Sequence, residues 1–344
     1  MPRKSLIALL LSAVLAVSGC WFGSEPQEVR LSGETMGTTY SVIALGNDLD
    51  PDVLKKTVEG TLAAVNAKMS NWDPASEVST FSAARSTAPV RISPEFAHVL
   101  AAAGDVHDKS GGKFDVTLGP LIELWGFGPR KPQDPVPTDD AIAVALEGVG
   151  QSRLLVLDAA AGTLKKTAPE TGINLSAIAK GYGVDAVATA LHGFGVEHYM
   201  VEIGGDLVTK GENAKGEAWR IGIEKPDSAA QTVQLIVPVS NHGLATSGDY
   251  RNYFEFEGRR YSHILDPVAG RPVTHATTSV TVIAQNAMLA DAWATAMLVL
   301  GRKDGLTLAE QHKLAVFFIE RDVQAGEDAY MTSASSAFDA LTGN

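Results

Sequence analysis

The segment AQNAMLADAWATAMLVLG, Ala284 to Gly301, is apolar almost throughout yet carries one formal charge, Asp291, with the hydroxyl of Thr295 four residues on. At helical spacing those two oxygens share a face. A carboxylate in a buried helix is strongly unfavourable unless it is paired, hydrogen-bonded or bound to a metal ion. Asp291 therefore either caps a neighbouring backbone segment or joins Thr295 in a hard-cation site for an ion such as Mg²⁺. A second stretch, Asn174 to Asp185 (NLSAIAKGYGVD), places Ser176 at an expected helix start and Lys180 one turn in, a pattern suited to a phosphate. Two glycines inside that helix weaken it, so something must gain from a close approach there. The alternative is a glycine-thinned helix packed on a sheet, with Lys180 in solvent. A third stretch, Ser262 to Pro267 (SHILDP), sets His263 and Asp266 at the end of a strand, where an imidazole is a candidate general base.

Four glycine-bearing turns accompany these residues: Thr35–Thr39, Gly111–Asp115, Ile203–Asp206 and Thr246–Tyr250. Exposed backbone N–H groups in such turns can cradle phosphate oxygens. Each alone is equally well hairpin punctuation. None fits the Walker A or GxGxxG spacing, which argues against a P-loop or Rossmann nucleotide site, and no other histidine has metal-ligand spacing such as HExxH.

The elements that position these residues follow from periodicity. Val29 to Leu45 predicts two strands joined through a glycine-bearing turn. Asp50-Pro51 and Ser93-Pro94 are helix starts, the first followed by Leu54, Val58, Leu62, Val65 and Met69 on one face. A third helix runs from Thr138 to about Glu147. Leu154–Leu157 and Thr163–Lys166 read as a hairpin, and Ile173–Leu175 as a short strand leading into a helix from Ser176 to about His192. The second half is expected to be mostly strands: Tyr199–Ile203, Trp219–Ile223, Val233–Val239, Arg251–Phe256, Arg260–Leu265 and Val280–Ala284. Asn286 and Gly301 bound the Asp291 helix. A further helix from Leu306, a strand Leu314–Ile319 and a weakly patterned tail follow. Helices and strands mix without strict alternation, which predicts an α+β fold: one compact domain with a largely antiparallel mixed sheet flanked by helices.

The 344 residues are 45% apolar and 20% charged, an ordinary globular composition. The first residues combine Arg3 and Lys4 with an apolar run from Leu6 to Val17, too short to span a bilayer, so residues 1–19 are expected to be a secretory signal. Val17-Ser18-Gly19-Cys20 resembles a bacterial lipobox, with Cys20 as the lipidated first residue of the mature chain and residues 20–28 as a short tether to a domain over 29–344. Cys20 is the one cysteine, so no intramolecular disulfide forms. The expected location is extracytoplasmic, anchored to a bacterial membrane facing the periplasm; Trp21 after the cysteine leaves inner or outer membrane open. The formal charge of −12, more negative still without Arg3 and Lys4, argues against nucleic acid as a partner.

Seven stretches in order, TMGTTY, GGKFDVTLGPLIELWGFG, NLSAIAKGYGVD, VEIGGD, TSGDYRNYF, YSHILDP and ADAWATA, resemble the ApbE family of FAD:protein FMN transferases over about Leu31 to Ile319. The resemblance implies an enzyme that transfers the FMN half of FAD to a threonine or serine hydroxyl of a protein and releases AMP. The acceptors it implies are threonine-bearing subunits of membrane redox complexes. It also implies FAD contacts at Met36, Trp72, Lys113, Phe114, Asp115, Asn174, Lys180 and Leu265, and Mg²⁺ ligands at the Ala177 carbonyl and the Asp291 and Thr295 side chains. Asn174 stands where the family commonly has Asp. His263 is then the expected base for the acceptor hydroxyl, with Asp266 as its orienter. Trp72 serves either as a helix-end core residue or as a stacking face for an aromatic part of FAD, and Phe114 fits the core equally well. Two alternatives use the same residues: a Mg²⁺-dependent FAD pyrophosphatase with water as acceptor, and a non-enzymatic FAD-binding lipoprotein. A purely structural lipoprotein leaves Asp291 and the clustered turns unexplained.

Overall fold

The computed structural model describes residues 27–128, 136–226, 232–322, 324–325 and 329–343. The expected signal segment and Cys20 lie outside them. No helix among the described residues is long and apolar enough to cross a membrane.

An eight-stranded sheet organises the chain. Its spatial order is Gln27–Thr35, Thr38–Gly46, His198–Ile203, Asp206–Lys210, Gly243–Gly248, Thr277–Ala284, Ala315–Arg321 and Tyr330–Ala334. Every ladder in it is antiparallel, so the largely antiparallel mixed sheet expected from the sequence contains no parallel pair among the described strands. Both faces are covered, and this is why Thr277–Ala284 is buried along almost its whole length and reads without alternation. Ala245, Val282, Val316 and Phe318 face the helical layer. Leu244, Ile283, Phe317 and Ile319 face a hairpin, Trp219–Glu224 with Val233–Val239, and Phe338 of the C-terminal helix Ser336–Thr342. The tail that showed little pattern thus forms the edge strand and this last helix.

The helical layer is built on Pro51–Met69, Pro94–Lys109, Ala179–Gly193 and Ala287–His312. Asp50 and Ser93 cap the first two as expected. Asn286 accepts from the Leu289 N–H at 2.9 Å and caps the last. Gly301 (φ 72°, ψ 172°) breaks that helix in two, so the further helix begins just after it and not at Leu306. Two short helices, Glu77–Ala83 and Gly119–Leu124, lie in stretches that had no clear helical period.

One expectation is corrected at the Asn174 run. Ile173–Leu175 pairs with no strand, and the helix begins at Ala179, not Ser176. The Asn174 Oδ1 takes the Ser176 N–H at 2.9 Å, an Asx-type turn that competes with helix, and Ile178 (φ −152°) is outside helical space. The two helix glycines serve protein contacts. A Cβ on Gly181 would sit 2.3 Å from the Ala287 carbonyl oxygen, and one on Gly183 would meet the Met36 sulfur at 3.2 Å.

The helices Ala179–Gly193 and Ala287–Leu300 cap each other. Asp291 Oδ2 accepts the Gly181 N–H at 3.1 Å, and the Asp185 carboxylate accepts the Ala287 and Met288 N–H groups at 2.9 and 2.8 Å. Burial holds the Asp185 carboxyl up at about 6 against the two N–H bonds that lower it. Asp185→Ala leaves those N–H groups unpartnered and is expected to cost about 1–3 kcal/mol in urea unfolding, whereas Asp185→Asn keeps an acceptor and costs less. A folded-state pKa above the unfolded one means that this group's contribution is complete below about pH 4 and is lost as the pH rises through about 6. Asp185→Asn is therefore expected to gain on wild type as unfolding is followed from pH 4 to 7.

Candidate active site

Three of the four glycine turns meet at one end of the sheet. Met36 (φ 50°) and Gly37 (φ 74°) join the first two strands, and Gly204 (φ 56°) and Gly205 (φ 98°) join His198–Ile203 to Asp206–Lys210. Left-handed backbone at both central positions suits a tight hairpin, and Met36 accepts it without being glycine. Strand Gly243–Gly248 runs antiparallel to Asp206–Lys210 and delivers Ser247 and Gly248 to the same end.

Lys180, on the first turn of its helix, binds the Asp206 carboxylate and lies 3.8 Å from Asp291 Oδ2. Burial opposes its charge, but Asp291 and Asp206 outweigh that and hold the ammonium above the ordinary lysine value. Asp206 is pushed up to about 7 by burial and by the Asp291 charge, with Lys180 opposing. Two buried carboxylates thus share one ammonium. Beside them, Thr295 Oγ1 and Ser247 Oγ are 3.2 Å apart. Ala177 is in the turn before the Lys180 helix, two residues ahead of its start. Of the two roles considered for Asp291, the structure shows the backbone cap: one carboxylate oxygen accepts the Gly181 N–H. The helix end imagined as an anion site at Ser176 is instead a helix start at Ala179, with the Gly181 N–H committed to Asp291.

His263 is linked to this cluster through the segment that follows Ser247. Its Nδ1 is 2.9 Å from the Asn252 carbonyl oxygen, which also accepts the His263 backbone N–H at 3.1 Å. A carbonyl only accepts, so Nδ1 carries the proton and Nε2 keeps its lone pair. Burial lowers the imidazole pKa, outweighing Asn252 and Asp249. An aromatic row supports this side: Trp125 on Tyr261, Tyr261 on Phe254, Phe254 on Phe127, and Phe127 edge-on to His263 at 6.3 Å. Leu265 is buried in the same cluster. The orienter expected for His263 was Asp266, but the group on Nδ1 is Asn252. Asp266 pairs with Lys113 at 2.7 Å and closes its own turn by accepting the Val268 N–H at 2.9 Å.

The other expected FAD positions divide sharply. Trp72 is 78% exposed, so the helix-end core role is ruled out and its indole is open to contact. Phe114 is core. Asp115 is buried, and its carboxylate holds the Thr117 N–H, the Thr117 hydroxyl and the Gln151 N–H at 2.7, 2.5 and 2.9 Å, with His107 at 3.5 Å; it shapes the Lys113 loop. Asn174 is gripped through its neighbours, because Asn71 donates to the Ile173 carbonyl at 2.6 Å and accepts the Leu175 N–H at 2.8 Å. Asn71, Asp206, Ser247 and Asn252 were not singled out from the sequence. Asp206 and Ser247 lay inside glycine turns already noted, which was the available signal. Nothing local marks Asn252, since its contribution is a backbone carbonyl.

The ApbE family model matches residues 36–318. A Haemophilus influenzae protein named FAD:protein FMN transferase is 40% identical over 345 residues, covering 98% of this chain and 99% of the relative. A Vibrio cholerae protein of the same name is 41% identical over 338 residues, 98% of each chain. The solved flavin transferase ApbE from Vibrio cholerae superposes with a TM-score of 0.82 at 39% identity, over 92% of this chain and 99% of that one. With the match running through every element that lines the site, this chain belongs to the ApbE family.

Proposed function

We propose that this protein transfers FMN from FAD to a threonine or serine hydroxyl of extracytoplasmic redox proteins, releasing AMP, with Mg²⁺ at Asp291, Thr295 and the Ala177 carbonyl. The observation that carries this reading is that segment 247–252 ties two functions together. Ser247 touches Thr295 at 3.2 Å, while Asn252 sets the His263 tautomer at 2.9 Å. The name shared by the relatives, FAD:protein FMN transferase, supports the same chemistry.

The residues fit the metal. With both carboxylates ionised, Asp206, Asp291 and Lys180 carry one excess negative charge in a buried place, and Asp291, Thr295 and Ser247 offer the oxygen donors that hard cations take. Bound there, Mg²⁺ supplies neutralisation of the charge that builds on diphosphate oxygens. Lys180, held charged between two carboxylates, adds a fixed cation facing the same region. The acceptor Oγ forms a bond to the FMN phosphorus while the bridging P–O bond to AMP breaks. The hydroxyl proton passes to His263 Nε2, the free lone pair of the ring. Exposed Trp72 offers apolar surface to the flavin or adenine, and Met36, partly buried against the core, is its expected companion. Cys20 anchors the domain outside the cytoplasm in this reading, on the strength of the leader alone.

Purified residues 21–344 with FAD, Mg²⁺ and a threonine-bearing acceptor are expected to give an acceptor heavier by one FMN phosphoester in mass spectrometry. EDTA or Asp291→Ala should abolish it. Free FMN and AMP with an unmodified acceptor would make the protein a pyrophosphatase, and intact FAD under all conditions a carrier. At saturating Mg²⁺, which would keep Asp206 ionised, the lowering of the His263 pKa by burial should hold the rate flat from pH 8 to below the ordinary histidine value of about 6.5 before it falls. A rate profile that already declines above pH 7 would remove His263 as the base.

A further inference from the structure

Asp249 lies midway along the segment that joins Thr295 to His263, and it is only 6% exposed. Its carboxylate is held from two strands away, by the last residue of Ala315–Arg321. Arg321 Nη2 donates to Oδ1 at 2.8 Å and Nη1 to Oδ2 at 3.1 Å, a two-pronged grip that a guanidinium can make and an ammonium cannot. The same Nη2 donates to Thr278 Oγ1 at 2.9 Å, and Thr278 Oγ1 donates to Asp249 Oδ1 at 2.5 Å. The Asp249 main chain is fixed as well: its N–H reaches the Thr278 carbonyl at 3.0 Å, and its own carbonyl accepts Arg260 Nη2 at 2.9 Å. Arg260 in turn packs 3.8 Å over the Tyr253 ring. Three residues after Asp249, the Asn252 carbonyl holds His263.

Arg321 touches neither His263 nor the oxygen cluster, and it stands beyond the 36–318 span matched by the family model. Residues 249–252 lie in neither a strand nor a helix; a main-chain bond holds each end, Asp249 N–H to the Thr278 carbonyl and His263 N–H to the Asn252 carbonyl, and the rest of their restraint comes from side chains, Arg321 on Asp249 and Arg251 on Glu224 among them. We infer that Arg321 is a positioning residue for flavin transfer: by clamping Asp249 it fixes the 249–252 segment, and through the Asn252 carbonyl it holds His263 with the proton on Nδ1 and Nε2 toward the acceptor. This inference rests on the reading of His263 as the base. A residue that acts only through His263 has nothing to act on once the imidazole is gone, whereas a residue that merely supports the fold costs the same with or without it.

The test is a double-mutant cycle in the metal-loaded enzyme, with acceptor flavinylation followed by mass and FAD binding by flavin fluorescence. Arg321→Met is expected to lower kcat about tenfold or more with FAD affinity changed less than twofold. In the His263→Ala background the same substitution should lower the remaining rate less than twofold. Arg321→Lys, which keeps the charge without the fork, should recover part of the loss, and it completes the cycle if Arg321→Met does not fold. Equal losses in both backgrounds, or a fall in FAD affinity that matches the fall in rate, would overturn the role of Arg321 and leave His263 untouched. A His263→Ala enzyme as fast as wild type would remove the base and this inference with it.

Discussion

The site depends on two helices that cap each other. Asp291 satisfies the Gly181 N–H, Asp185 satisfies the N–H groups of Ala287 and Met288, and Gly181 lets the two backbones meet without a Cβ between them. Helix starts carry unpaired donors and partial positive charge, so a carboxylate at each is favourable even when buried. The consequence is registration. Lys180 precedes Gly181, Thr295 follows Asp291 by one turn, and Ala177 leads into the same helix, so one pair of contacts sets the relative position of all of them.

Charge explains why this arrangement favours function over maximal stability. Asp206 and Asp291 are buried with the half-buried Asp185 near them, and the carboxyls of Asp185 and Asp206 are held above their ordinary range by desolvation and by the Asp291 charge. Lys180 balances part of the negative charge and is held protonated in return. A core of apolar residues would avoid this cost altogether. Concentrated oxygen atoms with an excess negative charge are the kind of surroundings that suit a hard cation.

The His263 side is made by different means. His263 is set by a backbone carbonyl and an aromatic row, not by a carboxylate, and the loop that supplies the carbonyl is clamped from the far strand by Arg321. The sheet carries Asp206 and Ser247 and leads into the segment that reaches His263. With a helical layer on one face and a hairpin with the C-terminal helix on the other, its strands are fixed along their length, and their turn ends can carry polar groups in unusual conformations.

Much of this was legible in the amino-acid sequence. Capping residues and 3.6-residue periods marked the helices from Pro51, from Pro94 and from Ala287, because those signals are local and obey backbone geometry. A charge in an otherwise apolar helix marked Asp291, and the glycine turns marked the segments that hold Asp206 and Ser247. The sequence also carried the family, through seven ordered motifs. Tertiary structure alone decided the partners. It moved the start of the Lys180 helix to Ala179, because Asn174 satisfies the Ser176 N–H locally. It gave Asp266 to Lys113 and His263 to the Asn252 carbonyl, and it turned Asp115 inward and Trp72 outward. The physical reason is that hydrogen bonds and ion pairs are made between atoms brought together by the sheet register from positions tens to hundreds of residues apart. Residue type declares what a side chain can bind, and only the packed fold decides which neighbour it meets.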